Sequence, residues 1–337
     1  MSNPLISVIM PVFKAEKFLK ETIDSILKQS FENFEFLIID DCSPDNSYEI
    51  LNSYKDKRIR CYRNEINLGY VKTLNILINL AKGKYLARQD NDDVSHPDRL
   101  KLQYELLEED LDIGLCGTNA RVFGSTNQIT RLPTGDQDIR AFMIYTNPFI
   151  HSSVMIRKSA LENEGLTYNV DYCPSEDYLL WFQISKKYKI ANLPEILLYY
   201  RTHEVNFSKL NKDIQITKAN EVRKEILKFS LSLDEKEFHS NLNSYLNNTS
   251  DSVINVLKKI ESYMLEIIDS NQRLNYYNKI SLQESLFNFW THLMKFNNKN
   301  TKFQKFYLYF NSKLFSLNFF IRLIYEKVIK RTIWKLA

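Results

Sequence analysis

The sequence predicts an open, mainly parallel α/β sheet with helices on both faces, followed by a helical C-terminal region. Three observations carry this prediction. Over the first 110 of the 337 residues, β-branched and aromatic runs alternate with segments of helical period, and that alternation demands right-handed crossovers between parallel strands. The first two strand candidates are mainly apolar rather than alternating, as a sheet covered on both faces requires. From about Phe207 onward, turn signals and strand runs give way to Lys-, Glu-, Leu- and Asn-rich segments at helical spacing.

The elements follow in order. Residues 6–12 form a β-branched run closed by Pro11, and 34–39 form a second. Between them Phe18, Leu19, Ile23, Ile26 and Leu27 fall on one helical face within 16–28. Next come a helix over 45–54, a strand over 59–63, a helix over 70–81, a strand over 84–88 and a helix over 97–109. Pro97 suits the first helical position, where the N–H it lacks would have no partner. Asn67-Leu68-Gly69 tolerates positive φ and lets the chain reverse before the next helix. Beyond 110 the pattern is less regular, with strand candidates at 153–157, 189–193 and 196–200 and a helix over 175–187. These read as an antiparallel addition to the sheet. The chain therefore divides into a sheet domain over 1–210, with halves 1–110 and 111–210, and a helical region over 211–337.

Composition narrows the function classes. With 44% hydrophobic and 26% charged residues, the chain is neither disordered nor collagen-like. The net charge of +4 is uneven: residues 301–337 carry eight Lys/Arg against Glu326 alone, or +7, leaving −3 for the rest. Cys42, Cys61, Cys116 and Cys173 form no C-x-x-C pair, which fits reduced thiols in a cytoplasmic protein better than zinc or disulfides. No basic n-region and no apolar run long enough for a membrane span are expected. Only seven glycines occur, none in a dinucleotide- or triphosphate-binding arrangement, so other groups must hold the phosphates of any bound nucleotide.

In an open α/β sheet, ligands bind at the carboxyl ends of the strands. Two acidic loops lie there: Asp40-Asp41, and Asp90-Asn91-Asp92-Asp93. Clustered carboxylates stay ionised only beside a cation or hydrogen-bond donors, and Mg²⁺ or Mn²⁺ is the natural counter-charge. Asp40, Asp41 and Asp45 have an equal alternative as helix caps. A single cap explains one aspartate of the 90–93 cluster and not three.

Several segments together resemble family 2 glycosyltransferases of the GT-A fold. They are Ile6-Ser7-Val8-Ile9-Met10-Pro11-Val12-Phe13, Ile38-Ile39-Asp40-Asp41-Cys42-Ser43, Asn67-Leu68-Gly69, and Ala87-Arg88-Gln89-Asp90-Asn91-Asp92-Asp93 with Pro97-Asp98-Arg99-Leu100. A second block, His151-Ser152-Ser153-Val154-Met155-Ile156-Arg157, Ser175-Glu176-Asp177-Tyr178 and Tyr200-Arg201-Thr202-His203, is similar to the family's acceptor half. The resemblance spans about the first 205 residues and nothing after 210.

The resemblance implies a Rossmann-like mixed sheet and metal-assisted transfer of a hexose or N-acetylhexosamine, with inversion, from a UDP-sugar to a hydroxyl of a surface glycan or glycolipid. Donor contacts are implied at Pro11, Val12, Asp41 (to the uracil), Asp90, Asn91 and His203. Asp92 would ligate Mn²⁺ or Mg²⁺, with His203 reaching the metal or diphosphate, and Asp177 would be the catalytic base. Plainer roles compete: Glu176 and Asp177 stabilising a helix N-terminus, His203 as a surface histidine, His151 packing or lining the donor-sugar pocket, and Arg99 exposed or on phosphate. Cys42 departs from the small or polar residue familiar at its position. No Q-x-x-R-W segment occurs, which counts against a processive polysaccharide synthase.

The basic, aromatic stretch after 300 resembles an interfacial helix and predicts peripheral attachment to an anionic membrane at the cytoplasmic face, or else a helix folded back on the protein or on a second subunit. No nucleic-acid partner is expected. The rival functions are a silent nucleotide-sugar or glycan-binding scaffold and a nucleotidyltransferase. The latter is disfavoured because only Lys14 near the first strand offers phosphate a charge.

Overall fold

A computed structural model describes residues 4–203, 211–233 and 253–296. The first half is built as its sequence predicts. Strands β1 (Ile6–Val12), β2 (Phe34–Asp40), β3 (Ile59–Arg63) and β4 (Tyr85–Arg88) are parallel, with β1 between β2 and β4 and β3 outside β2. Every residue of β1 and β2 is buried, which explains their mainly apolar runs, and the polar Ser7 and Glu35 within them pair with each other at 2.7 Å. Helices α1 (Leu19–Leu27), α2 (Ser47–Ser53), α3 (Tyr70–Leu80) and α4 (Arg99–Glu109) make the connections, with the two-residue β5 (Val94–Ser95) just before α4. Leu19, Ile23 and Ile26 of α1 and Leu100 and Leu107 of α4 join Val8, Met10 and Phe36 in one core. Each such side chain contributes about 1.5–3 kcal/mol by leaving water.

Pro97 differs from expectation. It stands before the N-cap, Asp98, and Arg99 is the first helical residue. Its carbonyl instead accepts the Ser30 N–H at 2.9 Å, joining this turn to the end of α1.

The second half holds the main correction. Strand β6 (Ile113–Gly124), one of the longest, was absent from the expectation. Its glycines break the β-branched signal, and tertiary packing explains them. A Cβ on Gly114 would lie 2.7 Å from Tyr188 Cβ, and one on Gly117 would lie 2.7 Å from Phe149 Cδ1. Close approach requires glycine where propensity argues against it.

The strands expected at 189–193 and 196–200 are one, β9 (Lys189–Thr202), parallel to β6 with register shifts around Asn119. Pro194 and Glu195 bulge out there, and Asn119 Nδ2 donates to the Pro194 carbonyl at 2.9 Å. The strand predicted at 153–157 shortens to β8 (Met155–Arg157), because residues 151–153 form a 3₁₀ turn. β8 lies antiparallel between β4 and β6, and β5 pairs antiparallel with β9, so the addition is mixed rather than wholly antiparallel. Strand β7 (Gln128–Ile129) pairs with β6, while α5 (Asp136–Met143), α6 (Lys158–Glu162) and α7 (Glu176–Ser185) complete this half.

The chain forms two compact units, Met1–Arg223 and Lys224–Ala337, and the boundary falls inside α8 (Lys212–Leu231). In the second unit α9 (Val253–Leu274) and α10 (Lys279–Phe296) bury Ile260, Met264, Ile267, Leu282, Leu286 and Trp290. Asn271 closes the turn between them, accepting Tyr277 N–H at 2.8 Å and donating to the Tyr277 carbonyl at 3.0 Å. No helix among the described residues is long and apolar enough to cross a membrane. The basic tail over 301–337, with its predicted membrane contact, lies outside the described residues. All four cysteines are free thiols.

Candidate active site

The carboxyl ends of β1, β2 and β4 carry the first half of the site. After β1, three backbone donors meet side chains of the β2–α2 loop and the first residue of α2: Lys14 N–H to Ser43 Oγ at 3.1 Å, Ala15 N–H to Ser47 Oγ at 2.9 Å and Glu16 N–H to Asp45 Oδ2 at 3.2 Å. Asp45 also accepts Ser47 N–H at 3.1 Å, so it behaves as a local turn cap. Lys14 sits at φ 52° and Cys42 at φ 59°, both in the left-handed region. Such conformations persist where surrounding bonds fix the backbone.

Asp41 is 2% exposed, and both its oxygens are engaged. Oδ1 accepts Asn64 Nδ2 at 2.7 Å and Leu68 N–H at 2.9 Å, while Oδ2 accepts Gly69 N–H at 2.9 Å. The turn Asn67-Leu68-Gly69, with Gly69 at φ 84°, is therefore wrapped around this carboxylate. The Asp41 N–H donates to the Val12 carbonyl at 2.7 Å, tying the Pro11–Val12 segment to the same point. Asp40 is fully buried against Arg63, whose Nε lies 3.1 Å from Oδ2.

The loop after β4 brings the remaining acids of this half together. Asp90 Oδ1 accepts Arg88 Nη2 at 2.6 Å and its N–H donates to Ser152 Oγ at 2.9 Å, whereas Asn91 Nδ2 reaches the Pro11 carbonyl at 3.4 Å. Asp92 Oδ2 lies 2.9 Å from His203 Nε2. Burial and repulsion from Asp90 raise the Asp92 carboxyl above its ordinary range, with His203 acting against them. Asp93 is completely buried, accepts Arg201 N–H at 2.8 Å and is raised well above the usual range by burial and by its acidic neighbours.

Arg201 anchors this loop to the end of β9. Its Nε donates to the Asp92 carbonyl at 2.8 Å, and its guanidinium lies between the rings of Phe18 and Phe123 at 4.3 and 4.5 Å. Phe18 also stacks on His203, with centroids 5.4 Å apart. The Y-R-x-H segment thus presents its histidine to Asp92 while its arginine holds the backbone of the acidic loop.

The opposite side comes from α7. Asp177, in the first turn, accepts its neighbour Tyr178 N–H at 2.7 Å and Asn147 Nδ2 at 2.8 Å. Burial raises its carboxyl to about 6 against those bonds, and the Asp90 charge adds to the rise while Arg88 opposes it. Asp90 and Asp177, far apart in the chain, share one electrostatic neighbourhood with the buried Arg88 as common counter-charge. Glu176 beside it is 2% exposed and pushed up to about 8 by burial and by Asp177. His151 Nε2 pairs with Tyr168 OH at 2.9 Å, and burial together with Arg88 holds the imidazole neutral, well below its usual range.

One expectation changes here. Arg99 is neither exposed nor placed for phosphate: it is fully buried, donating to Gln89 Oε1 at 2.8 Å, Ser95 Oγ at 2.9 Å and the Arg88 carbonyl at 2.6 Å. Burial lowers its guanidinium to about 10. It supports the acidic loop from beneath. Three contributors, Arg88, Asn147 and Arg201, went unassigned in the sequence, although Arg88 and Arg201 stand inside segments that carried the resemblance. Asn147 carried no local signal, since its partner lies 30 residues further along the chain.

The donor set tests the implied metal. Among the described residues no group of three or more His, Cys, Asp or Glu side chains is arranged to hold an ion. Asp92 with His203 nevertheless fits a hard divalent cation that takes one or two protein ligands and completes its shell with water and substrate phosphate. Burial and then repulsion from Asp90 raise the Asp92 carboxyl, and a nearby cation would offset both.

Comparison with known proteins agrees with this geometry. Residues 7–165 match the family description "Glycosyl transferase family 2". An uncharacterised glycosyltransferase of Haemophilus influenzae is 32% identical over 242 residues, covering 68% of this chain and 75% of the relative. The Escherichia coli UDP-Glc:α-D-GlcNAc-diphosphoundecaprenol β-1,3-glucosyltransferase WfaP is 29% identical over 66% of this chain and 86% of its own length. The crystal structure of S. aureus TarS 1-349 in complex with UDP-GlcNAc superposes with a TM-score of 0.56 at 18% identity, covering 86% of this chain and 87% of that one, and shows the common GT-A-like fold. With its mixed sheet, its acidic loop after β4 and its sequence kinship all in agreement, the chain belongs to glycosyl transferase family 2 and is a glycosyltransferase.

Proposed function

We propose that this glycosyltransferase moves a hexose or N-acetylhexosamine from a UDP-sugar to a hydroxyl of a lipid-linked surface glycan, with inversion at the anomeric carbon. The observation that supports the reading is the acidic loop after β4, where Asp90 is paired with Arg88 at 2.6 Å and Asp92 with His203 at 2.9 Å, with Asp90 and Arg88 both acting on the Asp177 carboxyl. The donor class is supported by WfaP, which uses UDP-Glc, and by TarS, bound to UDP-GlcNAc; WfaP's diphosphoundecaprenol-linked substrate supports the acceptor class. The basic, aromatic sequence of 301–337 supports work at an anionic membrane surface.

In this reading the Asp41 loop and the Pro11–Val12 segment receive the uridine, Asp90 and Asn91 face the ribose and diphosphate, and Asp92 with His203 would hold Mn²⁺ or Mg²⁺. A bound divalent ion supplies Lewis-acid stabilisation of charge developing on the diphosphate. Asp177 accepts the proton of the acceptor hydroxyl as that oxygen attacks the sugar carbon from the face opposite the diphosphate. Its raised value suits a general base, because the group is ionised at neutral pH yet basic enough to take a proton. Single displacement needs no covalent sugar–enzyme intermediate.

The test is UDP release from UDP-Glc, UDP-Gal, UDP-GlcNAc and UDP-GalNAc, with manganese and a diphosphoundecaprenol-linked acceptor. One donor should be turned over, and Asp177→Asn should lower its kcat by about 10²–10⁴-fold, the usual contribution of a general base. A variant working at the native rate would remove Asp177 from the mechanism.

A further inference from the structure

We propose that Asn147 is a positioning residue for Asp177, its side-chain amide holding the carboxylate in one orientation and favouring the charged form. The proposal rests on the reading of Asp177 as base and adds a residue to it.

The amide has one workable orientation. Its Oδ1 accepts Phe149 N–H at 3.1 Å, so Nδ2 is the group that faces Asp177 Oδ2, at 2.8 Å. The loop bearing Asn147 is itself pinned. Asn192 Nδ2 on β9 donates to the Pro148 carbonyl at 3.2 Å and to the Pro133 carbonyl at 2.9 Å, while Tyr178 OH on α7 donates to the Met143 carbonyl at the end of α5. The other bond to Asp177, from Tyr178 N–H, is local to α7 and would follow that helix wherever it moved. Asn147 is what ties the carboxylate to a second element. Each Asp177 oxygen then keeps lone-pair capacity for a substrate hydroxyl, because each accepts one of these two bonds.

The charged and titratable groups around Asp177 are Asp90 and Arg88 at the end of β4, Tyr168 and Cys173 ahead of α7, and Glu176 and Tyr178 on α7 itself. Of these, Asp90 disfavours the ionised carboxylate, as burial does, while Arg88 and the Tyr178 N–H favour it. A neutral amide donor favours the ion without adding a charge that would bind anionic diphosphate in the wrong place.

The experiment needs no substrate. Infrared difference titration of the full chain against its Asp177→Asn counterpart reads the Asp177 carboxylate, with a midpoint expected near pH 6. In Asn147→Ala the same difference should show the midpoint raised by about one to two pH units, the equivalent of one hydrogen bond to a charged group. Asn147→Asp keeps an acceptor for Phe149 N–H but sets a carboxyl beside Asp177, and its midpoint should rise at least as far. Midpoints unchanged or lowered in both variants would overturn the proposal. Native-rate transfer by Asp177→Asn would overturn the base assignment instead, and the titration would be unaffected.

Discussion

Replacing Asp41 by asparagine isolates the bond set that shapes the donor-side loop. In the native chain three donors converge on this carboxylate: Asn64 Nδ2, Leu68 N–H and Gly69 N–H, at 2.7, 2.9 and 2.9 Å. An asparagine amide satisfies them only in part. With its oxygen in place of Oδ1 it keeps Asn64 and Leu68 but sets an NH₂ group against Gly69 N–H; the flipped amide loses two donors instead of one. The better orientation forfeits one bond to a charged acceptor, about 1.5–3 kcal/mol, and weakens the other two by removing the charge. Because Asp41 is 2% exposed, water does little to repair the loss. Asp41→Asn should therefore cost about 2–4 kcal/mol, read from urea unfolding of the full chain. It should also release the Leu68 and Gly69 amides, so that hydrogen exchange at these two positions accelerates more than at the β1 and β2 amides. Unchanged protection at Leu68 and Gly69, with an unfolding midpoint equal to the native one, would refute the reasoning and leave the carboxylate free for a ligand alone.

Other expectations follow from the same geometry. Gly117→Ala places a methyl 2.7 Å from Phe149 Cδ1 and should cost about 1–3 kcal/mol in urea unfolding. Since the Phe149 N–H fixes the Asn147 amide, this variant should also lose transfer activity beyond its loss of stability. Chelation by EDTA should abolish UDP release, and added Mn²⁺ or Mg²⁺ should restore it. His203→Ala should raise the metal concentration needed for half-maximal rate, and full activity after chelation would exclude the Asp92–His203 pair as a metal site.

How much of this was legible in the sequence varies along the chain. The parallel strands and the helices between them were readable because a sheet covered on both faces needs mainly apolar strands, as β1 and β2 are, and a helix crossing it needs one apolar stripe. Both are local patterns. The acidic loops were readable too, since the ends of such strands are where ligands meet a sheet of this kind. Strand β6 was not readable. Its glycines are dictated by Phe149, Tyr188 and β9, residues distant in the chain, and local propensity argues against them.

The same division runs through the site. Sequence alone determined which residue types are present and in what order: the aspartates after β2 and β4, the acidic pair opening α7 and the histidine after β9. Only the tertiary structure decided that the Asp41 carboxylate is closed over by the Asn67–Gly69 turn, that Arg99 lies buried beneath the acidic loop, and that Asn147 meets Asp177. The physical reason is range. Periodicity and turn chemistry act between near neighbours in the chain, whereas a hydrogen bond between side chains from separate elements exists only once packing has brought its two ends within about 3 Å.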